Sequence, residues 1–530
     1  MSIVSMLEAQ VGRRPNAVAI FDRVGGRPRA TTYGDLHRRA KQGAALLRSC
    51  GLGPGDRILF FHRMSPELYA ALVAALRVGM VAVFVEPSAG LGAIARCCER
   101  ARPAAFAGGP KAHFLRAVTP AVRGIPVHFC LGSWMPGAVP WSRADRLPGD
   151  AHVEPVDEDS PALLTLTSGS TGTPKAAVRT HRFLRAQYDA LQAVLDLRAG
   201  EVDLTSLPIV MLANLASGVT SVIPAADLRA PGSIDAQPVL AQMDEHGVTR
   251  AGASPAFLER LVDHCERTGR LAGRLERIFT GGGPVFPSLV ERLRAVAPNA
   301  DITAVYGSSE AEPIAAIAYR HITDADRQAM AAGAGLVAGK PVPTLELRIL
   351  SETATPAVGR YSRDEFDRLL MPSGGAGEIV VSGAHVLPGY LDGEGDAETK
   401  LRVEDTIWHR TGDSGVLDPT GRLWLLGRHS ARSDDGRGVL HPFAVECAAE
   451  QHSSVRRTAL VTVGGERVLA VEMRRAMELH ELTALKQSLS WAGIDQIRVY
   501  PKLPMDRRHN AKIDYGALRK LIERRAAMIV

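Results

Sequence analysis

Between Thr32 and Pro87 the sequence repeats one beat twice: a helical segment, a turn, and a continuous apolar strand. Thr32 precedes YGDLHRRAKQGAALLRS, in which Leu36, Ala40, Ala44, Leu46 and Leu47 mostly recur at helical spacing. GLGPGD then turns the chain into RILFF. A second helical segment, PELYAALVAALRVG, leads into VAVFVEP, which its proline ends. Strands this uniformly apolar have no face for solvent, so they imply a parallel sheet covered by helices on both sides. LLTLT (163–167), RIFT (277–280), ITAVY (302–306) and LELRIL (345–350) are further strand candidates.

From about Pro341 the pattern changes. GEIVVSG (377–383), LPGYLD (387–392), IWHRTGD (407–413) and GRLWLLGR (421–428) are short strand-like pieces split by glycine and aspartate turns, which predicts a small antiparallel subdomain over about 341–428. HSARSDDGRG follows Arg428 and is apolar-poor, as a hinge or linker would be. Beyond it TALVTV and VLAVEM precede helical patterns near 478–490 and 514–526. A chain of 530 residues exceeds what one core usually supports. The predicted fold class is therefore α/β, with a large N-terminal body of parallel sheets flanked by helices over 1–428 and a small C-terminal α/β domain over 429–530.

Composition excludes more than it identifies. An apolar fraction of 46% and a charged fraction of 23% are those of an ordinary globular chain. The net charge of +6 is the small difference between 63 basic and 57 acidic residues, and aromatics make up only 5%, so nucleic acid is not an expected partner. The six cysteines are scattered, and the adjacent Cys97 and Cys98 lack the spacing of a zinc site. The N-terminus meets charge too soon for a signal peptide, and no apolar run approaches the roughly 20 residues of a membrane span. These features read together as a cytoplasmic protein with no membrane span.

One polar stretch stands out. LTLTSGSTGTPKAAVRT (164–180) places hydroxyls, two glycines and a proline–lysine pair directly after an apolar strand. A polyphosphate grip needs exposed backbone N–H groups, hydroxyl donors, glycines for close approach and a nearby cation. Thr167, Ser168, Gly169, Ser170, Thr171, Gly172 and Lys175 supply all four. The stretch is not the G-x-x-x-x-G-K-[ST] loop, because Lys175 is neither preceded by glycine nor followed by Ser or Thr. Composition alone leaves a phosphate grip and a plain connection equally open.

The order T-S-G-S-T-G-x-P-K resembles the signature loop of the adenylate-forming (AMP-binding) superfamily of acyl-CoA synthetases, adenylation domains and luciferases. GGGPV (281–285), VYGSSE (305–310), GEIVVSG, HRTGD (409–413), WLLGR (424–428) and RRHNAKIDYGAL (507–518) follow in that family's order. The resemblance implies that ATP and Mg²⁺ convert a small carboxylic acid to acyl-AMP and pyrophosphate, and that a nucleophile then captures the acyl group. It implies a phosphate-holding role for Thr167 through Lys175, and a nucleotide contact for Gly281, Gly282, Gly283 and Ser309. Tyr306 would face adenine, Asp413 would accept from the ribose hydroxyls, and Arg428 would add a further contact. Glu310 would be the magnesium carboxylate. Lys512 would be the catalytic lysine of a mobile C-terminal lid hinged at Ser430.

Several departures qualify the resemblance. Ser309 stands where the family has threonine, Ala511 precedes the catalytic lysine in place of glycine, and Ser430 replaces the usual Asp or Lys. The loop ARSDDGRGVLHPFAVE matches the family pattern only at Pro442 and Glu446. PIVMLANLASG (208–218), where amino-acid-activating relatives carry an acidic residue, is apolar apart from Asn214, which implies an apolar, non-amino acid. RHNAKI and the hinge loop are similar to the β-lactone synthetases of bacterial olefin biosynthesis. The expectation is thus an AMP-forming ligase passing its acyl group to CoA, in fatty acid or secondary-metabolite chemistry alongside other enzymes of an acyl pathway. Alternatives are β-lactone closure, an enzyme of one half-reaction, and a non-catalytic nucleotide-binding protein.

Overall fold

The computed structural model describes residues 3–85, 90–132, 134–168, 174–352, 359–476, 478–506 and 512–524. These form two compact units. One comprises Met1–Arg229, Ala241–Gly252 and Leu387–Ala397, and the other Ala230–Leu240, Ala253–Val386 and Glu398–Val530. Among the described residues no helix is long and apolar enough to cross a membrane.

The first unit holds the sheet that the opening beat predicts. Its seven strands run in the order Val139–Pro140, Val127–Cys130, Ala105–Gly108, Arg57–Phe61, Val81–Val85, Pro161–Ser168 and Pro174–Thr180. Every pairing is parallel until the last, which is antiparallel. The predicted first helix is Tyr33–Ser49. Thr32 accepts from the Asp35 amide while Asp35 reaches back to the Thr32 amide, a reciprocal cap that fixes where the helix starts. The second helix, Pro66–Arg77, is buried from Leu68 to Arg77 because it is apolar all round. Its one buried cation, Arg77, pairs with Glu8 and donates to the carbonyls of Asp150 and Ala151. Cys97 and Cys98 join a core on the helix Leu91–Ala101, in keeping with a structural role.

In the second unit Arg277–Gly281 runs parallel to Asp301–Ser308. Antiparallel neighbours then follow as Ala311–Ala318, Leu336–Pro341, Leu423–Arg428, Thr406–Leu417, Gly377–Gly383 and Leu345–Ser351. A separate three-stranded sheet, Val455–Val463, Glu466–Met473 and Gln496–Tyr500, carries the C-terminal residues with the helices Leu479–Ser488 and Tyr515–Arg524.

Two local expectations differ. LPGYLD is a loop with one 3-10 turn, Leu391–Gly393, and it packs in the first unit, because Leu387 and Tyr390 are core residues there. The stretch after Arg428, read as a linker, is an ordered hairpin with Ser433 opposite Leu440 and Asp434 opposite Val439. Its Asp435 is gripped by Arg437 at 2.6 Å and Arg467 at 2.8 Å, which compensates for the missing apolar side chains.

Candidate active site

The hydroxyl-rich stretch is borne by a hairpin. Thr167 pairs with Lys175 and Ser168 with Pro174 at the ends of two antiparallel strands. Gly169, Ser170, Thr171 and Gly172 lie outside the described residues. Lys175 leaves the second strand with its ammonium 5.7 Å from the centre of the Tyr390 ring.

In the second unit, register brings the remaining motifs together. Thr406–Leu417 and Leu423–Arg428 are joined by a turn that Asp418 organises, accepting from Thr420, from the Arg422 amide and side chain, and from the Trp424 indole. These bonds hold its carboxyl well below the usual carboxylate range despite the opposing effect of burial. With the turn fixed, Asp413 of HRTGD falls directly opposite Arg428 of WLLGR, an opposite-charge cross-strand pair separated by 3.3 Å. Arg428 also donates to the Thr411 carbonyl at 3.3 Å. The Asp413 backbone amide donates to the Thr411 hydroxyl at 3.1 Å.

Tyr306 completes this group by donating its hydroxyl to Asp413 Oδ2 at 2.9 Å. Burial, then the Asp413 charge, raises the phenol well above its ordinary value, so it stays a donor at neutral pH. The Asp413 charge in turn raises the Arg428 guanidinium, with smaller contributions from Tyr306, Glu310 and Tyr515. The motif VYGSSE is not a strand alone. Asp301–Ser308 and Ala311–Ala318 pair with Ser308 opposite Ala311, which leaves Ser309 and Glu310 as a two-residue hairpin tip. The Glu310 amide donates to Ser308 Oγ at 3.3 Å, and its carboxylate is only half-buried. One carboxylate amid hydroxyls is a donor set suited to a hard divalent cation that keeps most of its ligands from phosphate and water.

The glycine run begins where the strand Arg277–Gly281 ends. A Cβ on Gly281 would stand 2.5 Å from the Val305 carbonyl oxygen, so only glycine permits this approach to the strand carrying Tyr306. Gly282 has φ +81° and open space beside it, and Gly283 continues the bend.

The Lys512 amide donates to Asp506 Oδ1 and the Asp506 amide donates to the Lys512 carbonyl, both at 2.8 Å. Ala511 lies outside the described residues. Tyr515 follows three residues on. The Tyr515 phenol donates to the buried carboxyl of Glu446, whose oxygens are at 2.8 and 3.0 Å. Ser430 is exposed in a 3-10 turn, His429–Ala431, next to Arg428. Sequence reasoning did not single out Thr411, Tyr390 or Tyr515. Thr411 could have been found from its place beside Asp413 in HRTGD, whereas Tyr390 gave only a short glycine–tyrosine signal.

Asn214 does not line a substrate surface. On the helix Pro208–Ser217 its amide donates to Asp203 at 2.7 Å and to Ser221 at 3.0 Å, inside the first unit. Asp203 is fully buried and also faces Arg250 at 3.5 Å.

An α/β chain with a hydroxyl-rich hairpin, a glycine run ending a parallel strand, and a carboxylate held between a phenol and a guanidinium has the outline of a nucleotide-dependent enzyme. Residues 7–391 match the family model described as AMP-binding enzyme, and the chain belongs to that family, whose members are AMP-forming ligases. It is 33% identical over 95% of its length to an olefin beta-lactone synthetase of Xanthomonas campestris pv. campestris, of which it covers 91%. It is 26% identical over 86% of its length to 4-coumarate--CoA ligase 3 of Oryza sativa subsp. japonica, covering 78% of that protein. Among solved structures it resembles the amide bond synthetase McbA of Marinactinospora thermotolerans. The TM-score is 0.78 at 22% identity, over 98% of this chain and 99% of that one, a likeness of fold alone.

Proposed function

We propose that this enzyme uses ATP and Mg²⁺ to adenylate an apolar β-hydroxy carboxylic acid and then closes the acyl-adenylate to a β-lactone. In the first step a carboxylate oxygen attacks the α-phosphorus, the new C–O–P linkage forms, and pyrophosphate leaves with the electron pair of the broken P–O bond. In the second step the β-oxygen attacks the acyl carbon, the ring C–O bond forms, AMP leaves, and the hydroxyl proton passes to solvent.

The observation that carries the choice is the 33% identity to an olefin beta-lactone synthetase across 95% of the chain, against 26% for the CoA ligase. The departure of residues 430–441 from the pattern of thioester-forming relatives points the same way. Acyl transfer to CoA is the second reading, which the CoA-ligase relative supports.

In this reading the hairpin ending at Lys175 holds the β- and γ-phosphates. Tyr306 offers its ring to adenine while fixing Asp413, and Asp413 binds the ribose. Glu310 holds Mg²⁺, which when bound neutralises phosphate charge. Lys512 stabilises charge at the α-phosphate and carboxylate, a contribution that is commonly large. Residues 429–530 act as a lid pivoting at Ser430 on the body formed by 1–428. The apolar acid is supported by the helix Pro208–Ser217, which carries no carboxylate to pair with an ammonium.

The test is a panel of matched apolar acids, with and without a β-hydroxyl, incubated with ATP and Mg²⁺ in the presence and absence of CoA. The expected result is AMP release and a product of acid mass minus water only from β-hydroxy acids, without CoA consumption. Thioester product from acids of both kinds would select the CoA reading instead.

A further inference from the structure

The loop Leu387–Ala397 is remote in sequence from the hydroxyl-rich hairpin yet packs on it within the first unit. Ala177 and Tyr390 form an antiparallel bridge, two residues along the strand from Lys175. The bridge brings the buried Tyr390 ring beneath the Lys175 ammonium, 5.7 Å from the ring centre. Gly395 approaches the same lysine stem. Its φ is +99°, and a Cβ there would stand 2.6 Å from Lys175 Cδ, 2.7 Å from Cε and 3.0 Å from Nζ. The lysine stem therefore meets both an aromatic face and a backbone whose positive φ favours glycine.

The loop is itself tied down. Asp396 Oδ1 accepts from the Tyr390 amide at 2.9 Å. Arg100, on the helix Leu91–Ala101, pairs with Glu394 at 2.6 Å and Asp392 at 3.6 Å and donates to the Leu391 carbonyl. Arg100 thus holds two acidic side chains and one carbonyl of this loop.

We infer that Tyr390 and Gly395 are positioning residues for Lys175, forming a preset channel that aims its ammonium at an anionic ligand. The inference rests on the reading of Lys175 as a phosphate ligand. A flexible lysine is a mobile point charge, and a stem held before the ligand arrives loses less freedom on binding.

The test is acid-dependent ATP–pyrophosphate exchange, with KM measured separately for ATP and for the acid, on the full chain. Tyr390→Leu removes the ring face and is expected to raise KM for ATP, or lower kcat, about three- to tenfold while leaving KM for the acid unchanged. Tyr390→Phe keeps the face and should behave as the unmodified enzyme. Gly395→Ala should reproduce the Tyr390→Leu pattern, and it serves where Tyr390→Leu does not fold. In the double variant Lys175→Ala/Tyr390→Leu the loss should be no greater than in Lys175→Ala alone, because a residue acting through Lys175 has nothing left to act on. Additive losses, equal changes in both KM values, or equal effects of Phe and Leu at 390 would overturn the positioning role. If Lys175→Ala is impaired but Tyr390→Leu and Gly395→Ala are not, the channel alone fails. If Lys175→Ala is unimpaired, the phosphate-ligand reading fails and the channel with it.

Discussion

Glu446 is buried on the helix Pro442–Ala449, accepting from the Leu460 amide at 3.0 Å and from Tyr515, and burial pushes its carboxyl up to about 8 from an ordinary 4.5. Glu450, one turn on, is raised in the same direction, also by burial. Between about 4.5 and 8 the folded chain keeps a proton on Glu446 that the unfolded chain has released. Stability must therefore fall as pH rises through that window. Glu446→Gln retains the acceptor oxygen and abolishes the titration. We expect the unfolding free energy of the unmodified enzyme to drop from about pH 5 to about pH 8.5 by roughly 1–4 kcal/mol more than that of Glu446→Gln, measured by denaturant titration. Because the Glu446 charge helps to raise the Glu450 carboxyl, the comparison is made with Glu450→Gln in both proteins. Parallel pH profiles would show that burial does not hold the proton. The residue was visible in sequence only as a match within HPFAVE, since what perturbs it comes from Leu460 and Tyr515, far along the chain.

At the scale of elements, legibility followed the range of the forces. The Thr32 cap, the all-apolar helix Pro66–Arg77 and the parallel strands were readable because residues within one turn or one strand determine them. So were the paired motifs HRTGD and WLLGR as motifs, though not their opposition across a ladder, which depends on the Asp418 turn. The two misread segments share a cause. LPGYLD returns to a hairpin about 200 residues upstream, and HSARSDDGRG is ordered by Arg467 and Asp495, some 30 to 60 residues downstream. Local apolar content carries no trace of such partners. Ser430 therefore pivots, in our proposal, between two ordered elements instead of within a slack linker. Proline at 430 would lock φ there and disfavour the helical conformation of His429. Ser430→Pro should lower release of the second-step product about tenfold more than it lowers pyrophosphate exchange. Equal losses in the two assays would argue against a pivot at this position.

At the scale of the molecule, the proposed lid engages the body through contacts of two kinds within the second unit. The helix Pro442–Ala449 is apolar on both sides. Val445, Ala448 and Ala449 belong to the core of the three-stranded sheet, while Cys447 sits in the body core and Phe443 packs edge-on against Phe286. Beside it Arg456, Arg457 and Arg474 converge on the nearly buried Glu259 of the helix Pro255–Thr268, with Arg456 at 3.2 Å and Arg474 at 3.6 Å. Arg456 also reaches Asp263 at 3.3 Å. Asp263 and Glu472, the latter 3.4 Å from Arg456, keep part of this guanidinium charge paired, so removing the Glu259 charge costs roughly 1–3 kcal/mol. That cost falls on the docked arrangement alone, because a swung lid returns its arginines to water. Cys447 reports the change directly, being wholly buried while the lid is docked. With the half-buried Cys50 replaced by serine, Glu259→Gln should raise the rate at which a maleimide labels Cys447 by about tenfold or more, the site being identified by peptide mass. Acid and ATP should change that rate in the enzyme retaining Glu259, since the proposed cycle moves the lid. An unchanged rate at Cys447, or labelling confined to Cys265 on the helix that bears Glu259, would mean that the arginine cluster fastens only its own helix and does not hold the lid.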